Sequence, residues 1–454
     1  MKWISFLGLV GVLISPVLLA VEPVTMSGPV PPIASTYVSN ASNTVIYTIT
    51  NNVPNPLPLT VSGISNGVTR TSVANDCGNT LPAGPSTCNI GIAISTTTAQ
   101  VGKTINQTLV INYEGRTTLT SPITFSVIQL FAYVSSSPSA TTINKFSLDP
   151  TSGQFDINTV AYTAVSGQHF GELTFATVGG VQYAYVLDQN GFVYKCDIAG
   201  NGDFSSCTAT PLSPPSWAPY SIAFTKMGGV QYAYVADINN NFIYQCSLNV
   251  GGSSNGTFNS CVSASAALPP SFSFDAPYGI GFATIDGVQY AYVADAGNGG
   301  GTAGFVYQCT LDTSGFLTSC TAQTDPGSSP GWIPYAVNFA TSGGKQYAYV
   351  SDNGNSGVGH VYLCTLTVGG TFNGSFESCS ATPTSSVPSP NVPSNMAFAT
   401  IDGTQYAYVA NYQGGIGGMY VCTVDSNGTF SNCNVTTGSP PITGWTPVCV
   451  ALGL

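Results

Sequence analysis

Apolar and polar residues alternate along most of this chain in short runs. Clusters of Gly, Asn, Asp, Pro and Ser break the runs, and no window sustains the period of an amphipathic helix. The pattern predicts many short β-strands joined by tight turns. It also repeats. The phrase "QYAYV" recurs at Tyr183, Tyr232, Tyr290, Tyr347 and Tyr406, with a degenerate copy, "LFAYVSS", starting at Leu130. Spacings of about fifty to sixty residues are too long for a leucine-rich repeat and fit one propeller blade per unit. Within one unit four strand-like runs follow each other: "YSIAF" from Tyr220, "QYAYVAD" from Gln231, "NFIYQCSL" from Asn241 and "GTFNSCV" from Gly256.

Counting the runs predicts how the array ends. The second-strand phrase occurs six times, beginning with Phe131–Val134, whereas the first-strand phrase precedes it only five times, around Leu173, Ile222, Ile280, Val337 and Met396. The sixth first-strand phrase is Val448–Leu452. An open solenoid has no use for that strand, and its bare edges would invite aggregation. A closed ring uses it beside Phe131–Val134 to complete the first blade. The expectation is an all-β chain ending in a six-bladed β-propeller over 130–454.

Residues 21–129 carry alternating runs of their own, such as "NTVIYTITN", "TCNIGIAIS" and "TLVINYEG", which predict a β-sandwich. The first twenty residues read as a secretory signal peptide: Lys2, an apolar stretch broken by Pro16, and Ala20 at the cut. No later stretch is apolar for long enough to span a bilayer. The expectation is an exported protein without a transmembrane segment, in the periplasm, at the cell surface or outside the cell.

Composition narrows the chemistry. Only 6% of the residues are charged and the net charge is −11, with no basic patch to neutralise phosphates, which argues against nucleic acid as a partner. Hydrophobic content of 43% still permits a packed core. In an exported chain the thirteen cysteines read as disulfides: Cys77–Cys88, Cys196–Cys207, Cys246–Cys261, Cys309–Cys320, Cys364–Cys379 and Cys422–Cys433, leaving Cys449 as a free thiol. With two histidines and no CxxC knuckle, no metal site and no cofactor is expected.

The repeated units resemble the YVTN/NHL-like group of bacterial propellers, whose blades carry a similar "aYVad…v…c" phrase; the resemblance runs from Leu130 to Leu454. That group includes binding proteins, lyases and proteins of unknown role, so the resemblance implies a fold and supplies no catalytic residues. "CGNTLPAGPSTCNIGIAI" in the front segment is similar to a stretch of bacterial ASH-like immunoglobulin-type domains, with one extra residue before the second Cys. That implies an Ig-like domain that spaces or presents its neighbour, with Cys77 and Cys88 bridging adjacent strands.

Candidate ligand-binding residues follow from aligning the units on the Pro before each first strand. Two residues before it stand Trp217, Trp332 and Trp445 on alternate blades, which would either stack on a ligand at the axial mouth or cap their own blades. Two residues after it stand Glu172, Asn395 and Cys449, with His169 nearby. Cys, His and Glu together have the composition of an activated nucleophile, but no motif supports it, and an unpaired Cys packed in the closing strand is the plainer reading. Asp188, Asp237, Asp295, Asp352 and Asn411 end the second strands and read either as a cation ring or as turn formers, the turn being favoured. The leading functional expectation is a secreted or surface binding protein whose propeller face recognises a glycan or protein ligand. A lyase or hydrolase at the axial mouth and a structural component of an extracellular assembly are the alternatives.

Overall fold

The computed structural model describes residues 24–33, 36–38, 42–97, 100, 103–114, 117–136, 142–149, 152–164, 170–188, 190–210, 217–269, 271–297, 304–323, 332–354, 359–382, 392–401, 403–412, 418–436 and 446–453. Among these residues strand dominates, and no helix is long and apolar enough to cross a membrane. The chain falls into two compact units, one including Ser42–Thr97 and Lys103–Ser126, the other including Val127–Leu454.

The first unit contains two antiparallel sheets. One is ordered Val24–Val30, Ser42–Asn51, Ser86–Ser95, Val68–Thr71; the other Thr36–Val38, Thr117–Ile128, Thr104–Tyr113, Leu57–Ser62, Thr80–Leu81. The strand period of two buries Val45, Tyr47, Ile49, Ile90, Ile92 and Ile94 of the first sheet and Leu109, Ile111, Ile123 and Phe125 of the second. Tyr47 Oη lies 3.3 Å from Ser121 Oγ and ties the sheets together. Cys77 stands beside the strand that carries Cys88 but is not itself on a strand, which corrects the expectation of two bridged strands. The bridge instead fastens a turn, whose Cys77 amide donates to the Asn89 carbonyl.

Among the described residues the second unit contains six four-stranded antiparallel sheets in a propeller-like arrangement. A typical one is ordered Pro219–Met227, Val230–Asp237, Phe242–Leu248, Phe258–Ser263. The first is assembled from distant parts of the chain: Pro447–Gly453 pairs antiparallel with Phe131–Ser136, matching Phe131 with Gly453 and Val134 with Val450. The described residues of the two units together hold eight sheets, where counting "QYAYV" units alone yields six. The two additional sheets belong to the first unit, which lies outside that repeat.

Burial explains the strand sequences. In Val288–Asp295 the last six residues are all buried, because both faces of the strand are covered, and the sequence is nearly continuous in apolar and aromatic residues. The outermost strands, such as Leu317–Ala322, bury little beyond their first residue. Core clusters join successive sheets. One unites Val134 and Phe146 of the first sheet with Tyr408 and Val421 of the sixth; another unites Tyr133 and Ile143 with Leu173 and Val186 of the second.

The second tyrosine of each "YAY" phrase has a specific task. Its hydroxyl donates to a glycine carbonyl in the outer hairpin of the next sheet: Tyr185 to Gly256 (2.6 Å), Tyr234 to Gly315 (2.8 Å), Tyr292 to Gly374 (2.6 Å) and Tyr349 to Gly428 (2.8 Å). Tyr133 of the degenerate copy does the same to Gly202 (2.7 Å). Tyr408 of the sixth sheet then reaches Gly153 of the first at 2.8 Å, which completes the circuit. Burial pushes these phenols upward, Tyr234 to about 12, so they stay protonated and remain donors. The acceptor residue must be glycine: at Gly256 φ is +82°, and a Cβ would press on the Tyr183 ring at 2.9 Å.

Five disulfides join the third and fourth strands of the second to sixth sheets, with Cα atoms 4.0–4.1 Å apart. Through loop-closure entropy each contributes about 3 kcal/mol. The first sheet has no such bridge. Its buried Lys145 instead reaches the second sheet's outer hairpin, pairing with Asp203 at 2.5 Å and donating to the Asn201 carbonyl at 2.6 Å.

Candidate functional site

The six inner strands present equivalent residues to one axial space, and their sequences make it lopsided. Directly after the leading Pro, three consecutive sheets carry Tyr220, Tyr278 and Tyr335, whereas Ser394, Val448 and, after Phe170, Gly171 stand in the other three. The tyrosines fill part of the mouth as a packed group. Ring centroids are 4.3 Å apart for Tyr220–Tyr278, 4.6 Å for Tyr278–Tyr335 and 6.1 Å for Tyr220–Tyr335. Beside them the smaller residues leave a cavity of about 50 Å³. Burial raises Tyr335 to about 12 and Tyr220 well above its ordinary value, so both hydroxyls stay neutral.

One residue further along stand Glu172, Ser221, Gly279, Ala336, Asn395 and Cys449. Asn395 Nδ2 donates to Glu172 Oε1 at 3.3 Å, joining the second sheet to the sixth across the closing strand. Glu172 is partly exposed, and what it exposes lines the axial cavities, whose walls shut out part of the water its carboxylate would otherwise hold. Desolvation pushes it up to about 8, against the opposing pull of the Ser221 hydroxyl and the Ile222 amide. At neutral pH it is therefore mostly a neutral carboxylic acid that can both donate and accept. Below the Glu172–Asn395 pair lies a second cavity of about 280 Å³, with Asn338, Phe339, Phe398 and Leu452 in its wall.

Cys449 is buried on the closing strand. Its thiol donates to the Leu173 carbonyl at 3.3 Å and accepts from the Leu173 amide at 3.4 Å. Burial, and then the Glu172 charge, hold it well above its ordinary value. A satisfied, neutral thiol is not poised as a nucleophile.

The structure thus brings together Glu172 and Asn395 of the sequence candidates. It places Trp217 and Trp332 elsewhere, which corrects their reading as open stacking platforms. Trp217 is 6% exposed and stacks on Tyr244 at 5.4 Å; Trp332 is 1% exposed and meets Tyr362 edge-on at 6.3 Å. In both cases the ring partner is on the third strand of the tryptophan's own sheet, and residues of the preceding sheet complete the enclosure. Trp445 and His169 lie outside the described residues. The second-strand acids bind backbone: Asp237 accepts from the amides of Ala218 and Asn239, Asp295 from Asp275, Ala276 and Gly297, and Asp352 from Ile333 and Gly354. They fasten the entry of each first strand to its own sheet.

Aligning positions two before and two after the Pro passes over the three mouth tyrosines. The dipeptides Pro219-Tyr220, Pro277-Tyr278 and Pro334-Tyr335 carry that signal in the position between.

No family model matches the chain, and no curated protein does. Among solved structures, a periplasmic gluconolactonase of Pseudomonas aeruginosa aligns with 72% of this chain and 99% of its own, at 14% identity and a TM-score of 0.43. The apo form of AztD from Citrobacter koseri aligns with 72% of this chain and 97% of its own, at 9% identity and a TM-score of 0.28. Likenesses this distant leave the reading of the site to its own residues.

Proposed function

We propose that the protein is an exported binding protein, an Ig-like front domain followed by a six-bladed propeller, whose axial mouth recognises a neutral, hydroxyl-rich ligand of the carbohydrate type. The observation that carries this reading is the pairing of opposites at the mouth: Tyr220, Tyr278 and Tyr335 together with Glu172 and Asn395. Aromatic rings offer stacking area to the apolar face of a sugar. An amide and a neutral carboxyl offer donors and acceptors without the cost of burying a charge. A space of about 50 Å³ admits a hydroxymethyl-sized group or a few waters, so the ligand would dock end-on and rest mainly on the tyrosines. Six disulfides favour an oxidising compartment. The quiet chemistry of Cys449, and the shortage of other acids among the described residues of the mouth, support binding over catalysis.

The test is a glycan-array screen of the mature protein, followed by calorimetry on the hits with wild type and Tyr278→Ala. Removing the central ring should weaken binding by about 1–3 kcal/mol, as for other aromatic hot spots. A folded Tyr278→Ala variant that binds as tightly as wild type would sink the proposal.

A further inference from the structure

The cavity below the Glu172–Asn395 pair differs in chemistry from the mouth. Its polar groups are Glu172, Asn395, Thr174 and Asn338; aromatic and aliphatic residues such as Phe339 and Phe398 make up the rest, and no Lys or Arg is among the described residues that line it. Asn338 Oδ1 is shielded from bulk water and has no hydrogen-bond partner in the protein. A buried acceptor left unmet is costly, so this amide gains from any arrangement that gives its oxygen a donor. In the conformation described Oδ1 faces away from the open space, which other atoms of the residue line, and a half-turn of the amide about χ2 would bring it there. Acceptors and aromatic rings without a competing cation favour a positively charged N–H group. At about 280 Å³ the space is far too wide for a bare metal ion and large enough for a small organic molecule.

We propose that this lower axial cavity is a binding site for a small organic ammonium ion, its N–H groups reaching Asn338 Oδ1 and the Glu172 carboxyl and its hydrocarbon body resting between Phe339 and Phe398. The net charge of −11 favours the approach of a cation. The site shares Glu172 and Asn395 with the mouth, but its other walls lie further along the inner strands and its ligand is of another class.

Binding has a proton balance. The ammonium keeps its protons, and the neutral Glu172 gives up one to solvent, so the bound pair is a cation facing a carboxylate. Tyr220, Tyr278 and Tyr335 border Glu172 from the mouth side and Cys449 from the neighbouring strand. Burial keeps Tyr220, Tyr335 and Cys449 protonated, so they do not take up the released proton.

The experiment is calorimetric titration of the protein with butylammonium and cyclohexylammonium, and with butanol and cyclohexanol as neutral counterparts. Titrations at pH 6, 7 and 8 in two buffers of different ionisation heat count the protons. The expected result is saturable binding of an amine, none of the alcohols, and release of nearly one proton at pH 6, falling towards pH 8. Affinity should rise about tenfold per pH unit below about pH 8. Asn338→Leu should weaken binding at least about tenfold, and Asn338→Asp, which keeps the shape and can ionise against the bound cation, should strengthen it at pH 8. Glu172→Gln should abolish proton release. Absence of saturable amine binding overturns the proposal, as does equal binding of the alcohols or weaker binding in folded Asn338→Asp at pH 8. These outcomes leave the glycan test at Tyr278 untouched.

Discussion

Replacing Tyr408 by Phe removes one oxygen atom and tests whether the ring is closed in solution. Tyr408 is fully buried, and its hydroxyl donates to the carbonyl of Gly153, 255 residues away in sequence. Within the tyrosine set this bond is the one that links the sixth sheet to the first. Deleting the hydroxyl loses the net contribution of a hydrogen bond, about 0.5–1.5 kcal/mol, and leaves the glycine carbonyl short of its donor, for a total of about 1–2 kcal/mol. In a unit of this size, Val127–Leu454, that lowers Tm by roughly 1.5–3 °C. The comparison with Tyr292→Phe decides the matter. Tyr292 makes the same bond at 2.6 Å between two sheets that are neighbours in sequence. A closed ring makes both losses similar in urea or thermal melts. A ring that gapes between the sixth and first sheets would already hydrate Tyr408 and Gly153. If Tyr408→Phe is silent while Tyr292→Phe is costly, the closure argument fails.

Three further outcomes are expected. Deleting 447–454 strips the inner strand from the first sheet and bares the edge of Phe131–Ser136, so the truncated protein should aggregate or melt well below wild type in light-scattering and thermal scans. Glu172 is more basic folded than unfolded, so its stabilising effect is complete below about pH 4.5 and fades as pH rises through about 8, at up to about 1.4 kcal/mol per unit; Glu172→Gln should flatten the difference in denaturation curves between pH 5 and 9. Native Cys449 should resist thiol reagents and label fully only after unfolding, whereas mass spectrometry without reduction should show the six bridges intact.

How much the sequence reveals depends on whether a residue acts within its own repeat or across to another. The strand runs, the paired cysteines and the stray inner strand at Val448–Leu452 are local or counted features, and they can be read directly. Glu172 and Asn395 can be singled out because aligned positions face the same axis, although their hydrogen bond joins residues 223 apart in sequence. The tryptophans stay ambiguous between platform and cap because position alone does not say what covers a side chain; the burial of Trp217 and Trp332 fits the cap. Trp217 precedes its strand as a mouth residue would, yet its ring lies on Tyr244 and is enclosed with Val178 and Leu187 of the preceding sheet. The glycine acceptors of the tyrosines are hidden for a similar reason, since each lies in the turn of another repeat. Asn338 is legible as an orphan only once its surroundings are built.

The disulfides and the closing strand place opposite demands on the order of events as the chain is made from its N-terminus. Each bridge in the second unit closes across 11 or 15 residues, so a hairpin can be oxidised soon after it appears. The partner of Phe131–Ser136 is Pro447–Gly453, which is synthesised only after every other sheet of the unit. Until those residues arrive, the first sheet lacks its inner strand, and Gly153 waits for Tyr408. The unit therefore accumulates covalently stapled hairpins long before it can become a ring. Closure is then one late, long-range event, intrinsically slow because so much chain must be brought together at once. An agent that shields the edge of the first sheet in the interval would speed recovery of the folded protein more than one that hastens oxidation.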